Sequence, residues 1–172
     1  MRDLLSRDYA NNYPKKFKKL MNDLDKKYIA ANPNDAHYAL AEYKIPIITM
    51  NIDSLHSRAG SEHVLEVHGS LRNRNVVLYG DNAPLYKHAY SWADRLNSND
   101  VLLIIGTSLY TRFSQEIVQI AENHNAEIIT INQDAEHKVR TTLEENRGKI
   151  GSFVDFVSRE PNWIRNYKCY FY

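Results

Sequence analysis

Val101-Leu102-Leu103-Ile104-Ile105, followed at once by Gly106-Thr107-Ser108, is the stretch on which the fold class turns. Five consecutive aliphatic residues are too few to span a bilayer, and an unbroken apolar run of this length is typical of a parallel strand covered on both faces. The small polar residues directly after it mark a strand's carboxyl end, where ligands sit in open parallel sheets. Runs over 45–50 and 127–131 have the same character, and shorter β-branched segments over 64–67 and 76–79 bring the strand candidates to five. Segments with a period near 3.6 lie at 13–30, 35–43, 85–96, 114–124, 135–145 and 153–158. The alternation predicts an α/β fold with a mainly parallel sheet and helices on both faces.

The chain has 172 residues, a length that favours one domain with a substantial core. Only six residues are glycine, and none of them has the spacing of a GxGxxG turn, a GxxxxGK phosphate loop or a GxSxG nucleophile elbow. Any nucleotide must therefore be held without a glycine loop from this chain. A single cysteine, Cys169, rules out an internal disulfide framework or a CxxC zinc site. The first residues carry Arg2, Asp3, Arg7 and Asp8 instead of a signal-peptide core, so a soluble cytoplasmic protein with no membrane partner is expected. A net charge of +1 gives no electrostatic case for a nucleic-acid partner. The lysines at 15, 16, 18, 19, 26 and 27 alternate with Phe17, Leu20, Met21, Leu24 and Tyr28, which fits the wet face of an amphipathic helix.

The residues following the predicted strands are rich in small polar groups. They are Asn51, Asp53, Ser54 and His56; His68, Gly69 and Ser70; Gly106, Thr107 and Ser108; and Asn132, Gln133 and Asp134. Taken singly they are ordinary turn and cap residues. Together they offer hydrogen-bonding groups suited to ribose hydroxyls and an amide. Strand alternation places Glu66 and His68 on one face, where a carboxylate could orient an imidazole acting as a base. His56, His63 and His68 share no helix face, so no metal site is expected, and a Ser-His-Asp hydrolase lacks its nucleophile turn.

Six ordered motifs resemble the sirtuin family of NAD-dependent protein deacylases. Asn32-Pro33-Asn34-Asp35-Ala36-His37-Tyr38-Ala39-Leu40 is similar to PNxAHxAL, and Thr49-Met50-Asn51-Ile52-Asp53-Ser54-Leu55-His56 with Ala59-Gly60 to TQNIDGLHxxAG. Glu66-Val67-His68-Gly69-Ser70 resembles ExHGS, Val76-Val77-Leu78-Tyr79-Gly80-Asp81 resembles VVxFGE, Ile105-Gly106-Thr107-Ser108-Leu109 resembles IGTSL, and Ile131-Asn132 the late IN pair. The motifs span about 32 to 134. The resemblance implies a Rossmann-like fold and NAD as cofactor. Asn51 and Asp53 would meet nicotinamide and its ribose, His68 would be the general base, and Gly106, Thr107, Ser108 and Asn132 would hold the phosphate and adenosine side. Asn51 and His68 would be the catalytic pair, and Gly80 and Leu109 would flank an extended acyl-lysine peptide or protein segment.

The chain departs from the family pattern in several places. Met50 stands for the glutamine of TQNID, Ser54 for the glycine of NIDG and Asp81 for the glutamate of FGE. Residues 71–75 replace the four-cysteine zinc module, and nothing before Asn32 resembles the family's first strand, its GAGxS loop or its PDFR segment. The sheet is therefore expected to be incomplete relative to the sirtuin fold, with rearranged pairing, a strand from another subunit in a homo-oligomer, or an upstream segment of a longer parent completing it. The expected organisation is a helical segment over 1–31, a sirtuin-like domain over 32–150 and a C-terminal helix with an aromatic tail over 151–172 that docks on its own domain. An NAD-dependent deacylase with weakened cofactor binding is the leading expectation. An NAD glycohydrolase-like relative and an inactive module binding NAD, ADP-ribose or a protein are the competing ones.

Overall fold

The aliphatic run forms a strand, Val101–Ile105, paired in parallel and in register with Glu127–Ile131 from Val101↔Glu127 to Ile105↔Ile131. A second parallel pair joins Ile47–Thr49 to Val64–Glu66. The computed structural model describes residues 3–132 and 135–147, with backbone alone at 135–137. In chain order, after a 3-10 turn at Asp3–Leu5, the elements are α1 (Arg7–Asn12), α2 (Pro14–Ala30), α3 (Asp35–Glu42), β1 (Ile47–Thr49), α4 (Leu55–Arg58), β2 (Val64–Glu66), α5 (Tyr86–Ala93), β3 (Val101–Ile105), α6 (Arg112–Asn123), β4 (Glu127–Ile131) and α7 (Ala135–Glu145). The expected helix at 153–158, the tail and residues Gln133 and Asp134 lie outside the described residues.

Local chemistry sets several helix starts. The Ser6 hydroxyl accepts the Tyr9 N–H at 3.1 Å, Pro14 opens α2 where its missing N–H costs nothing, and the Thr111 hydroxyl accepts the Ser114 N–H at 3.2 Å. At α3 the side chain of Asn34 and that of His37 cap each other's backbone in a capping box. The lysine face of α2 is exposed while Phe17, Leu20, Met21, Leu24 and Tyr28 are half-buried, as the periodicity predicts.

Strand alternation divides the core between two layers of helices. Ile48 and Leu102 pack with Trp92, Ala93, Phe113 and Ile117 of α5 and α6. Ile47 and Leu103 point the other way, toward Ala36 and Leu40 of α3 and Val139 and Leu143 of α7. The same two helical layers cover both strand pairs, so the pairs belong to one three-layer arrangement. Yet β1 pairs only with β2, and β3 only with β4, among the described residues. A cavity of about 520 Å³ lies between β1 and β3, lined by both strands along their length. The incomplete sheet expected from the sequence is thus two half-sheets separated in the middle.

One predicted strand is absent. Residues 76–79 are β-branched, but their only strand-like pairing among the described residues is a single parallel bridge, Ser6↔Tyr79. Tyr79 N–H donates to the Leu5 carbonyl and Arg7 N–H to that of Tyr79, both at 2.9 Å, and Arg7 grips Asp81 through two 2.7 Å bonds. With one bridge and no ladder, β-propensity has nothing to propagate along. The segment replacing the zinc module is a turn at 71–74, closed by Arg74 N–H on the Leu71 carbonyl at 3.0 Å.

Ser54, where the family pattern has glycine, sits in left-handed backbone at φ 56°. An L-residue there carries a cost of about 1–2 kcal/mol that glycine avoids. Replacement Ser54→Gly is expected to raise stability by about 1 kcal/mol, read from the urea midpoint at unchanged slope. Gly69→Ala is expected to do the reverse, because its Cβ would stand 2.1 Å from the Asn75 carbonyl oxygen.

Candidate functional site

Residues just beyond β1 and β3 line the cavity, and the Thr111 hydroxyl, between β3 and α6, lies 3.7 Å from the Met50 sulfur that follows β1. Asn51, Gly106, Thr107 and Leu109 all belong to that lining, together with Met50 and His56. Gly106 adopts φ +65° with open space where a Cβ would stand, leaving bare backbone at the mouth. Leu109 is also left-handed, at φ 56°, and is held there by its N–H on the Thr107 hydroxyl (3.3 Å) and by Gln115 donating to its carbonyl (3.0 Å). A strained non-glycine residue at a cavity mouth is a frequent mark of a functional loop. Four of the sequence-predicted site residues therefore converge. Asp53, Ser108, Asn132 and Gly80 lie outside the lining. Asp53 spends one carboxylate oxygen on the Leu55 N–H at 2.9 Å, Ser108 and Asn132 are exposed, and Gly80 is exposed beside the Arg7–Asp81 pair.

His68 reaches the cavity lining through Met50. Its Nδ1 lies 3.2 Å from the Met50 carbonyl oxygen and its Nε2 lies 2.7 Å from the Tyr86 hydroxyl. A carbonyl can only accept, so Nδ1 carries the proton and Nε2 presents a lone pair to which Tyr86 donates. This is the tautomer a general base needs. Burial pushes the imidazole below its ordinary value, and the Met50 carbonyl opposes the shift. The alternation argument assigned the orienting role to Glu66, and the structure corrects it. β2 ends at Glu66, His68 lies in the following turn, and the Met50 carbonyl does the orienting. Glu66 is instead raised by burial, opposed by the hydroxyls of Ser54 and Ser70.

Tyr86 is the site residue that sequence reasoning missed. Its ring stacks on Phe113 at 4.1 Å, which fixes the hydroxyl over Nε2. The available signal was Tyr86 and Tyr90 four apart on the apolar face of a predicted helix, which reads as ordinary core.

His56 lines the cavity with its ring 4.7 Å from that of His37. Burial first, then the neighbouring His37, lowers it to about 4, and Asp53 only partly offsets this. Its Nδ1 is buried with no hydrogen-bond partner among the described residues.

Two outcomes follow from these histidines. His56 is neutral when folded and takes up its proton on unfolding, so stability is expected to fall between about pH 6.5 and 4, by up to about 1.4 kcal/mol per pH unit. Denaturant unfolding across that range checks this, with His56→Gln flattening the slope. For His68, NMR titration is expected to show an Nδ1–H tautomer with a midpoint below 6.5. Tyr86→Phe is expected to move that midpoint upward, because the hydroxyl that favours the neutral ring is gone.

A Sir2 family sequence model matches residues 1–75, so the likeness begins upstream of Asn32 and takes in α1 and α2. An NAD-dependent protein deacetylase of Bacillus cereus (strain ATCC 10987 / NRS 248) is 32% identical, covering 90% of this chain and 78% of that protein. One from Saccharolobus solfataricus is 27% identical over 92% of this chain and 74% of its own length. The crystal structure of a Sir2 homolog–NAD complex superposes with a TM-score of 0.77 at 24% identity, covering 85% of this chain and 77% of that one. A Sir2 structure bound to acetylated peptide gives 0.72 at 20% identity, with 84% and 83% covered. With the parallel strands, flanking helices and ordered motifs, these matches show that the chain belongs to the Sir2 family.

Proposed function

We propose that this chain acts as an NAD-dependent protein-lysine deacylase whose hold on the cofactor is weakened at the phosphates. The observation that carries the reading is His68, held in the Nδ1–H tautomer by Met50, which leaves Nε2 as the basic nitrogen, accepting from the Tyr86 hydroxyl. The residues present fit one side of the cofactor well. Asn51 supplies an amide for nicotinamide, Asp53 keeps a carboxylate oxygen for a ribose hydroxyl, and Gly106 leaves a bare cradle at the mouth. The phosphate side fits less well, since no Lys or Arg stands among the residues lining the cavity. Thr107, Ser108 and Asn132 offer only neutral donors there.

NAD, when bound, would supply a glycosidic carbon open to displacement of nicotinamide by the acyl oxygen of the substrate. Asn51 would hold the nicotinamide amide for that displacement, and His68 Nε2 would take the proton of a ribose hydroxyl so that its oxygen could accept the acyl group. For Nε2 to take that proton, the Tyr86 hydroxyl would have to swing off it and loosen its stacking on Phe113. Gly80 and Leu109 flank an extended acyl-lysine segment. Tyr86 on Nε2 and the uncharged phosphate side favour a second reading, a module that binds NAD or ADP-ribose without turnover.

The test is nicotinamide release from NAD with an acetyl-lysine peptide. Release that depends on the peptide and falls at least about 100-fold in His68→Ala is the expected result. Peptide-independent release would assign a glycohydrolase, and calorimetric NAD binding with no release would assign the silent module. A dissociation constant for NAD in the micromolar range or weaker is expected, and submicromolar binding would contradict the weakened phosphate side.

A further inference from the structure

We infer that Tyr86 is a latch on the general base: its hydroxyl closes His68 Nε2 against any other hydroxyl, and the uncapped first turn of α5 is the hinge on which it opens. The latch rests on the reading of His68 as a base and is a regulation of that same site.

The contact is a competition for one lone pair. With Nδ1 committed to the Met50 carbonyl at 3.2 Å, Nε2 has a single lone pair, and the Tyr86 hydroxyl takes it at 2.7 Å. Burial first, then the neighbouring Tyr79, raises Tyr86 above its ordinary value, so it keeps the proton that it donates. A ribose hydroxyl needs the same lone pair. Base and substrate therefore meet only in the fraction of chains from which Tyr86 has swung away, and the base is weakened in effect by that fraction.

The build of α5 lets the tyrosine leave without unfolding the core. Tyr86 is its first residue, and the helix start at Leu85 has no side-chain cap, only the Tyr86 N–H on the Ala83 carbonyl at 3.1 Å. An uncapped first turn is the part of a helix that frays. One turn further on the helix is anchored. The Tyr90 hydroxyl donates to Glu116, which Arg112 also grips at 2.6 Å, and Ala89, Trp92 and Ala93 are buried. Tyr86 thus stands on the loose side of a hinge and Tyr90 on the fixed side. Phe113 meets both rings, stacked on Tyr86 with centroids 4.1 Å apart and tilted against Tyr90 at 5.6 Å, so it keeps one aromatic partner when the other swings out.

The experiment treats the full 172-residue chain with diethyl pyrocarbonate, which attacks a free imidazole lone pair, at pH 7.5, above the ordinary histidine value of about 6.5. Modification is mapped by mass spectrometry on the tryptic peptide 59–72, where His63 is the internal reference for His68. Tyr86→Phe keeps the ring and removes only the hydroxyl, and is expected to raise the rate at His68 relative to His63 about tenfold, the factor that one lost hydrogen bond sets. Phe113→Leu, which keeps the hydroxyl and removes the stack, is expected to raise it about threefold. Tyr90→Phe, which removes a hydroxyl on the fixed side, is expected to change it less than about twofold. In the wild type, the Ala89 amide, on the Leu85 carbonyl at 3.1 Å, is expected to exchange at least about tenfold faster than that of Ala93. Equal rates at His68 in the wild type and Tyr86→Phe, an equal rise in Tyr90→Phe, or exchange at Ala89 no faster than at Ala93 would each overturn the latch, and these arms decide even where Phe113→Leu does not fold. Nicotinamide release is scored separately. Where it occurs, Tyr86→Phe is expected to raise kcat at unchanged peptide KM, and a kcat that is unchanged or lower would also overturn the latch. Release from no variant would count against the proposed activity alone, leaving the modification rates to decide the latch.

Discussion

Coverage of both half-sheets by the same two helical layers is the constraint on which the rest of the structure depends. β1 and β3 have no hydrogen bond to each other, yet each sends alternate side chains into a cluster shared with the other. Apolar packing therefore holds the halves together where backbone pairing does not. That packing brings Asn51 and Gly106, each just beyond a strand, to line one cavity. A fold held this way keeps these residues together even with the middle of its sheet open.

The basic histidine depends on a chain of smaller constraints. Met50 follows β1 with its carbonyl turned to His68, and glycine is required at Gly69 in the turn because the Asn75 backbone leaves no room for a Cβ. Tyr86 is stationed by stacking on Phe113, a residue of the shared apolar cluster. Core packing and proton chemistry are thus joined through a single aromatic pair. Ser54 and Leu109, both left-handed without being glycine, show backbone strain gathered around the same mouth.

The sequence was most legible where one physical signal dominated. β3, β4 and α7 have the bounds that apolar continuity and periodicity predict, since both faces of those strands are covered and nothing competes. The predicted strand at 76–79 fails because β-propensity says nothing about whether a ladder partner exists. α4 is four residues long, too short for a period, and the exposed α1 has no apolar stripe to read. For the site, the residues after each strand were visible as small polar clusters, but the partner of His68 was not. Alternation assumes that the strand continues, and the pairing that would have continued it stops at Glu66.

The divided sheet also bears on how the chain acquires its fold. Each ladder joins segments that are near in sequence, Ile47 with Val64 and Val101 with Glu127, so each half closes through one modest crossover without waiting for distant pairing. The long-range closure falls instead to α3 and α7, which lie against each other from near opposite ends of the described chain and are clasped by Arg140 on Glu42 at 2.7 Å. That helix pair is one of the two layers that couple the halves, and loosening α7 would leave the α5–α6 layer alone to hold them together.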